Sequence, residues 1–385
     1  MTSSHPADLG LNPADIGAWY RQKATADPLA PRLRSLLSSR ICIMGAAGQV
    51  GSHLVAKLYE LGIDLEQIDL NDNLSLGRRD NLPPPCREGL VVRSHRDYAL
   101  NPPHRPDLLL FVGGRSSAPH FTGLADVLSE LETWATLLDW CVAENIRLVF
   151  ASTSSLCKQR PSREDQRVWP GSLYELCKLM MEDMAIQQSL DRGLQLQICR
   201  FFSVYGVTEA HKGKFANLYT QLLWHALDQT PFEVWGQPDH FDPGEQTRDL
   251  IFAPDVARAM LHLLTLPVPS PHLQDISDLV YNIGQGKPLS VKEMIAHMEA
   301  ILPPPLAPKL QTVEVPSTLP NYVVHTWGDP QKLINSGYQP LFPENIDNLK
   351  FISCALFLPP DWYWDQLTQV RQAILSSTGN LGGGA

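Results

Sequence analysis

No stretch of the sequence approaches the eighteen or so uninterrupted apolar residues of a membrane span, so no membrane partner is expected. The seven cysteines are odd in number and scattered, without a C-x-x-C pair, which argues against a disulfide framework and a structural zinc site. Basic residues are outnumbered, 31 Lys and Arg against 41 Asp and Glu, for a net charge of −10. Nucleic acid is therefore not expected as a partner, since phosphate-backbone binding needs a basic face. The opening MTSSHPADLG lacks the basic and apolar regions of a secretory signal, and with the missing span this predicts a cytoplasmic protein. Internal repeats are absent too. What remains is a chain of 385 residues, 44% apolar and 19% charged, with room for two domains or one large domain and an appended lobe.

Residues 1–39 read as a polar, helix-leaning extension, with a cap at Asn12 and a second short helix in PRLRSLLSSR. From Arg40 short apolar runs alternate with helical stretches, the pattern of βαβ units and a parallel sheet. Strands are expected at Ile41–Met44, Gln67–Leu70, Leu90–Val92, Leu108–Val112, Leu148–Ala151 and Leu196–Phe201, and helices at Gln49–Leu61, Gly123–Glu144 and Leu173–Leu190. After Gly206 the pattern is mixed, with a strand at Phe232–Trp235 and helices at Asp255–Leu266 and Val291–Ile301, the last stopped by Pro303, Pro304 and Pro305. One amphipathic helix and a frayed end follow Leu358.

The first strand runs into GAAGQVG and then a helix. Gly45, Gly48 and Gly51 at this spacing permit a tight turn, let a pyrophosphate approach the backbone and place it at a helix N-terminus. Asp72, twenty-one positions after Gly51, stands where a carboxylate would bind an adenosine ribose and repel a 2′-phosphate, favouring NAD over NADP. Arg78 and Arg79 close behind would soften that preference.

Tyr174 and Lys178 lie four apart at a helix start and share a face, so the ammonium can sit beside the phenol and lower its pKa toward the range of a usable base. Upstream, the run RLVFASTSSLCK ends a strand in four hydroxyl residues, Ser152 to Ser155.

Taken with LLLFVGGRSS, CRFFSVYG, EQTRDLIFAPDVARAM and YNIGQGKPLS, these motifs resemble the extended short-chain dehydrogenase/reductases, the NAD-dependent epimerase/dehydratase group acting on nucleotide sugars, over roughly Arg40 to Pro340. The resemblance implies an α/β fold: a Rossmann-type, doubly wound parallel sheet with a smaller, mixed C-terminal lobe that binds substrate. It divides the chain into an extension (1–39), an NAD-binding domain (40–206), a substrate lobe (207–357) with some chain returning to the sheet, and a C-terminal helix and tail (358–385). It makes Thr153 the hydroxyl on the reacting sugar oxygen, Tyr174 the base, and Lys178 the partner of both tyrosine and ribose. Gly45, Gly48, Gly51, Gln49, Val50, Asp72, Asn73 and Arg115 would join Lys178 around the cofactor, and Ser154, Ser203, Asn217 and Arg248 would meet the substrate. A homodimer, packed through the helices around Leu124–Val142 and Tyr174–Ser189, is also implied.

Departures from the family pattern are Ser203 for a usual asparagine, Ser94 near a usual aspartate, FVGG for His-Leu-Ala-Ala, Cys157 for a tyrosine, and an insertion in PDHFDPGEQ. Family members that eliminate water keep an acidic residue immediately after the active threonine, where this chain has Ser154 and Ser155. The reading is therefore an epimerase, which needs no further side chain once a ketone has formed. A dehydrogenase or reductase, a dehydratase using Glu175, and a non-catalytic dinucleotide-binding regulator remain as alternatives.

Elsewhere, Asp239, His240 and Asp242 read as a polar turn rather than a metal site, and no metal is expected. Cys157 and Cys177 read as small apolar residues. Lys158, Arg160, Lys212 and Lys214 are either solvated charge or anion ligands, and Trp362, Tyr363 and Trp364 read as core or interface.

Overall fold

A computed structural model of the chain describes residues 10–237, 240–268, 275–315, 323–359 and 361–379. The six strands expected before Gly206 form, as does the one expected at Phe232–Trp235 (β8, below): β1 (Ile41–Met44), β2 (Ile68–Asp72), β3 (Leu90–Val92), β4 (Leu108–Phe111), β5 (Arg147–Thr153) and β6 (Leu196–Phe201). Six more follow: β7 (Ser203–Tyr205), β8 (Pro231–Gly236), β9 (Thr247–Phe252), β10 (Val280–Ile283), β11 (Pro288–Ser290) and β12 (Lys309–Glu314). β5 runs two residues beyond its expected end and carries Ser152 and Thr153 within the ladder, opposite Arg200 and Phe201 of β6.

The main sheet has seven parallel strands in the order β10-β6-β5-β4-β1-β2-β3. β1 and β4 are buried along their whole length, the state in which parallel strands read as unbroken apolar runs; β2 is buried too, although Asp69, Asn71 and Asp72 interrupt its apolar residues. From β1 the chain winds outward through β2 and β3, then returns to the other side of β1 with β4. The strand order reverses between β1 and β4, and a crevice beyond their carboxyl ends is where such a sheet takes ligands. The lobe is carried by two small sheets, β11-β9-β7 and β12-β8.

The helices are α1 (Pro13–Thr25), α2 (Ala30–Leu33), α3 (Gln49–Leu61), α4 (His95–Leu100), α5 (Leu124–Ala143) and α6 (Leu173–Arg192), then α7 (Leu218–Leu227), α8 (Ala253–Leu264), α9 (Val291–Ile301), α10 (Gln331–Asn335), α11 (Asn345–Phe357) and α12 (Asp361–Gly379). The expected cap is present, the Asn12 side chain accepting from Ala14 N at 3.1 Å. Four helices, α4, α7, α10 and α11, were not anticipated from the sequence pattern.

α3 is buried on nearly every side, because α8 and α12 cover the flank turned away from the sheet. That flank is charged. Lys57 pairs with Asp27 at 3.0 Å and Glu60 at 3.2 Å, and Arg258 of α8 pairs with Asp27 at 2.7 Å and Asp255 at 2.8 Å. Tyr20 of α1 donates to Glu60 at 2.6 Å, and the backbone N–H groups of Leu341 and Phe342 donate to Asp255. A buried ion cluster is tolerated only when its remaining valences are hydrogen-bonded, as they are here. The two chain ends thus form one helical layer, with α1 on α11 and α12, and α12 on α3. Tyr363 and Trp364 lie in its core.

Candidate active site

The glycine turn is shaped by backbone contact. Gly45 has φ +84°, and a Cβ there would lie 2.6 Å from the Gly113 backbone, because the ends of β1 and β4 meet. A Cβ at Gly51 would lie 2.0 Å from the Gly45 carbonyl oxygen. Gly48 differs: its φ is −76°, and the only atom near a Cβ is Gly45 O at 3.3 Å. Apart from that one tight contact no protein atom stands within 4 Å, and Gly48 caps α3 with no side-chain hydrogen bond. The first N–H groups of an uncapped helix are orphan donors at the positive end of a dipole. A diphosphate fits there. Asp72 at the end of β2 accepts from Ala47 N at 2.9 Å and Leu74 N at 2.8 Å, so its carboxylate braces the turn while lining the cleft.

The cleft, about 820 Å³, runs from this turn past the ends of β4, β5 and β6 into the lobe. It gathers Gly45, Gly48, Gln49, Val50, Asp72, Asn73 and Arg115 at one end, Thr153, Ser154, Tyr174 and Lys178 in the middle, and Ser203 and Arg248 at the other. Gly51 stands behind the turn and acts through packing. Asn217 is not among the lining residues: its side chain accepts from Tyr219 N at 3.0 Å and donates to Val204 O at 3.2 Å, capping α7. The expected substrate contact at Asn217 gives way to this local capping.

The four hydroxyls separate into distinct positions. Ser152 lines the cleft, but its hydroxyl is taken up by Glu182, which also accepts from Arg200 Nε at 3.1 Å and Nη2 at 2.7 Å. This buried pair ties β5, β6 and α6 together. Thr153 Oγ1 lies 2.6 Å from Ser155 Oγ, and Ser154 lines the cleft. Cys157 is half-buried beside Arg200; burial raises its thiol pKa and the guanidinium works against the rise.

α6 is capped by Ser172, whose hydroxyl accepts from Glu175 N at 3.2 Å. Lys178 donates to Ala151 O at 3.2 Å and lies 5.1 Å over the Phe150 ring. Burial pushes the Tyr174 phenol up to about 12, with a hydrogen bond from Thr153 working against the rise. Burial likewise lowers the Lys178 pKa, opposed by Glu130. The expected lowering of the phenol by Lys178 is thus not what dominates within the protein itself; desolvation wins.

Several lining residues carry no sequence signal. His95 Nδ1 lies 2.7 Å from Asn71 Oδ1, while Asn71 Nδ2 donates to the carbonyls of Val91 and Arg93. The Asn71 oxygen therefore accepts, and the His95 proton is on Nδ1. Its Nε2 edge fills the place of a residue-113 side chain, since a Cβ at Gly113 would lie 2.2 Å away, which accounts for glycine in FVGG. Glu130 holds Arg115 at 3.2 Å, together with Asp126 at 3.0 Å. Only closeness in the fold brings these residues to the cleft.

A family model, NAD dependent epimerase/dehydratase, matches residues 41–284, well over half of the chain. The chain belongs to this family. A UDP-glucose 4-epimerase of Azospirillum brasilense is 29% identical over 284 residues, covering 69% of this chain and 78% of that protein. An ADP-L-glycero-D-manno-heptose-6-epimerase of Fusobacterium nucleatum is 26% identical, covering 66% and 77%. A solved Thermus thermophilus UDP-glucose 4-epimerase in complex with NAD superimposes with a TM-score of 0.66 at 22% identity, over 82% of this chain and 98% of that one.

Glu175, the carboxylate that a dehydratase would draw on, is turned aside. It is buried, accepts from Lys158 at 2.8 Å, and does not line the cleft. Among the described residues, the lining carboxylates are Asp72 and Glu130, both at the dinucleotide end. No group of three or more His, Cys, Asp or Glu side chains is gathered for a metal ion among the described residues; Asp239 lies outside them.

Proposed function

We propose that this family member is an NAD-dependent epimerase of a nucleotide sugar. The observation that carries the reading is the middle of the cleft, where Thr153 and Tyr174 face in while Glu175 is held aside by Lys158. The Tyr174 oxygen takes the proton of a sugar hydroxyl, while Thr153 hydrogen-bonds the same oxygen and fixes its direction. NAD, when bound, supplies the hydride acceptor and a positive charge on its oxidised ring. Lys178 holds the ribose and adds positive charge near the phenol. Loss of hydride and proton leaves a ketone. With no carboxylate at hand to pull water from the neighbouring carbons, the ketone turns over, and Tyr174 returns the proton once hydride has come back to the other face. Ser203 and Arg248 lie where the nucleotide diphosphate would extend into the lobe, and the 1–39, 40–206, 207–357 and 358–385 division describes these working parts.

The same reading makes the enzyme cytoplasmic, which seven unpaired cysteines favour, and dimeric. Leu124 and Leu128 of α5 and Met180 and Leu190 of α6 are exposed apolar side chains on the two helices that would pair.

The test is to denature purified protein, look for released NAD, and incubate the native protein with a panel of nucleotide sugars. Epimer formation without accumulation of NADH is the expected result. NADH production in step with substrate would make the protein a dehydrogenase, and loss of water from the sugar would make it a dehydratase.

A further inference from the structure

The segment Val207–Phe215 follows β7 as an irregular 3-10 stretch and crosses to the dinucleotide turn. It is tied down at several points. Thr208 Oγ1 lies 2.9 Å from Ser52 Oγ in the first turns of α3. Asn81 Nδ2 bridges the Ala47 carbonyl at 2.8 Å and His211 Nδ1 at 3.1 Å. Glu209, fully buried, accepts from the backbone N–H groups of Gly206 and Asn217 and fixes the shape of the segment. Phe215 meets His120 from the loop after β4, with ring centres 5.4 Å apart.

At the centre of this crossing Lys212 donates to the side-chain oxygen of Gln49, the first residue of α3. Both residues line the cleft. The placement is electrostatically odd. An ammonium stands at the positive end of a helix dipole, where cations are disfavoured, with no carboxylate within ion-pair distance among the described residues; the buried Glu209 acts on it only from farther away. With its oxygen turned to Lys212, Gln49 has its amide nitrogen buried and without a hydrogen-bond partner. Turning the amide over would set its N–H groups against the ammonium, so the orphan is a consequence of the lysine. A cation and an unused N–H donor thus face the uncapped end of α3 together.

We infer that Lys212 is a diphosphate ligand, closing over the cofactor's diphosphate at the N-terminus of α3 with the Gln49 amide as a second donor. An anion between ammonium and helix end resolves both anomalies, and Val207–Phe215 becomes a strap across the bound dinucleotide. The inference rests on the reading that the cleft takes NAD. It adds a residue from outside the glycine motif.

The experiment compares native protein with the Lys212→Met and Lys212→Arg variants, each stripped of nucleotide and titrated calorimetrically with NAD, ADP-ribose, adenosine and UDP. Lys212→Met should bind NAD and ADP-ribose about 10- to 100-fold more weakly, the range of a hydrogen bond to a charged group. Adenosine, which has no phosphate, should bind as before, and Lys212→Arg should recover most of the loss. Should Lys212→Met not fold, Lys212→Gln supplies the same comparison. Undiminished NAD and ADP-ribose affinity would overturn the inference, as would an equal loss for adenosine. A loss confined to UDP would move Lys212 to the substrate's phosphates and overturn it as well. If the native protein itself binds no dinucleotide, the cofactor reading fails first, a result distinct from a defect confined to the variants.

Discussion

At the dinucleotide end of the cleft the decisive contacts are between backbone atoms: a Cβ at Gly51 would strike the Gly45 carbonyl, and the ends of β1 and β4 meet at Gly45 and Gly113. At the lobe end the surface is made of side chains, Ser203 and Arg248, held by β7 and β9 of a three-stranded sheet. Arg248 is itself positioned by the lobe, its Nη1 donating to the carbonyls of Thr247 at 2.8 Å and Val324 at 3.0 Å. A backbone-built end admits little change without loss of the fold, whereas a side-chain-built end can be rewritten one residue at a time. Tyr174 stands between the two.

The largest effect should therefore come at the junction. Tyr174→Phe should lower turnover by about 10²- to 10⁴-fold, the usual contribution of a general base, with NAD affinity almost unchanged in a binding titration. A fully active variant would remove Tyr174 from the mechanism. Next, Arg248→Met should weaken binding of the nucleotide sugar by about 10- to 100-fold while sparing NAD; an effect on NAD alone would erase the distinction between the two ends. Within the backbone-built end, two glycines should part company. Gly51→Ala should lower stability by about 1–3 kcal/mol through overpacking, whereas Gly48→Ala should melt much closer to the native temperature and still lose NAD affinity, because its methyl group meets only the Gly45 carbonyl oxygen, at 3.3 Å, beside the uncapped helix end. Melting curves and NAD titrations of the pair separate packing from ligand contact.

The smallest effect is a matter of pH. The Tyr174 phenol is raised to about 12 in the protein against 10.0 for a free phenol, so folding favours its protonated form. Its contribution to stability is complete below about pH 10 and fades as pH rises toward 12. A difference titration of stripped native protein against Tyr174→Phe should show no ionisation near neutrality. A step close to pH 7 would show that Thr153 and Lys178 already overcome desolvation.

Much of the dinucleotide end was legible in the sequence because its signals are local: glycines three apart, a carboxylate at the next strand end, a tyrosine and lysine one helical turn apart. The six strands and α3 were legible for the same reason, since unbroken apolar runs and helical spacing are short-range patterns. What escaped was made by distance. His95 fills the space that Gly113 vacates, and Lys212 reaches Gln49 across 163 positions. Asn217 misled because an asparagine before a helix serves equally well as a cap, and capping needs only the next two residues. The charged flank of α3 escaped too, since Lys57 pairs with Asp27 upstream and Asp27 in turn with Arg258 far downstream.

That last pairing has a consequence for how the protein is made. Asp27 emerges from the ribosome 231 positions ahead of Arg258, its bidentate partner. At usual synthesis rates of about 5–20 residues per second, the wait is on the order of 10–50 s. α12, which covers α1 and α3, comes later still. Until then Asp27 lacks its bidentate partner and α1 lacks the cover of α12. Completion of the last helices is what lets the first one dock.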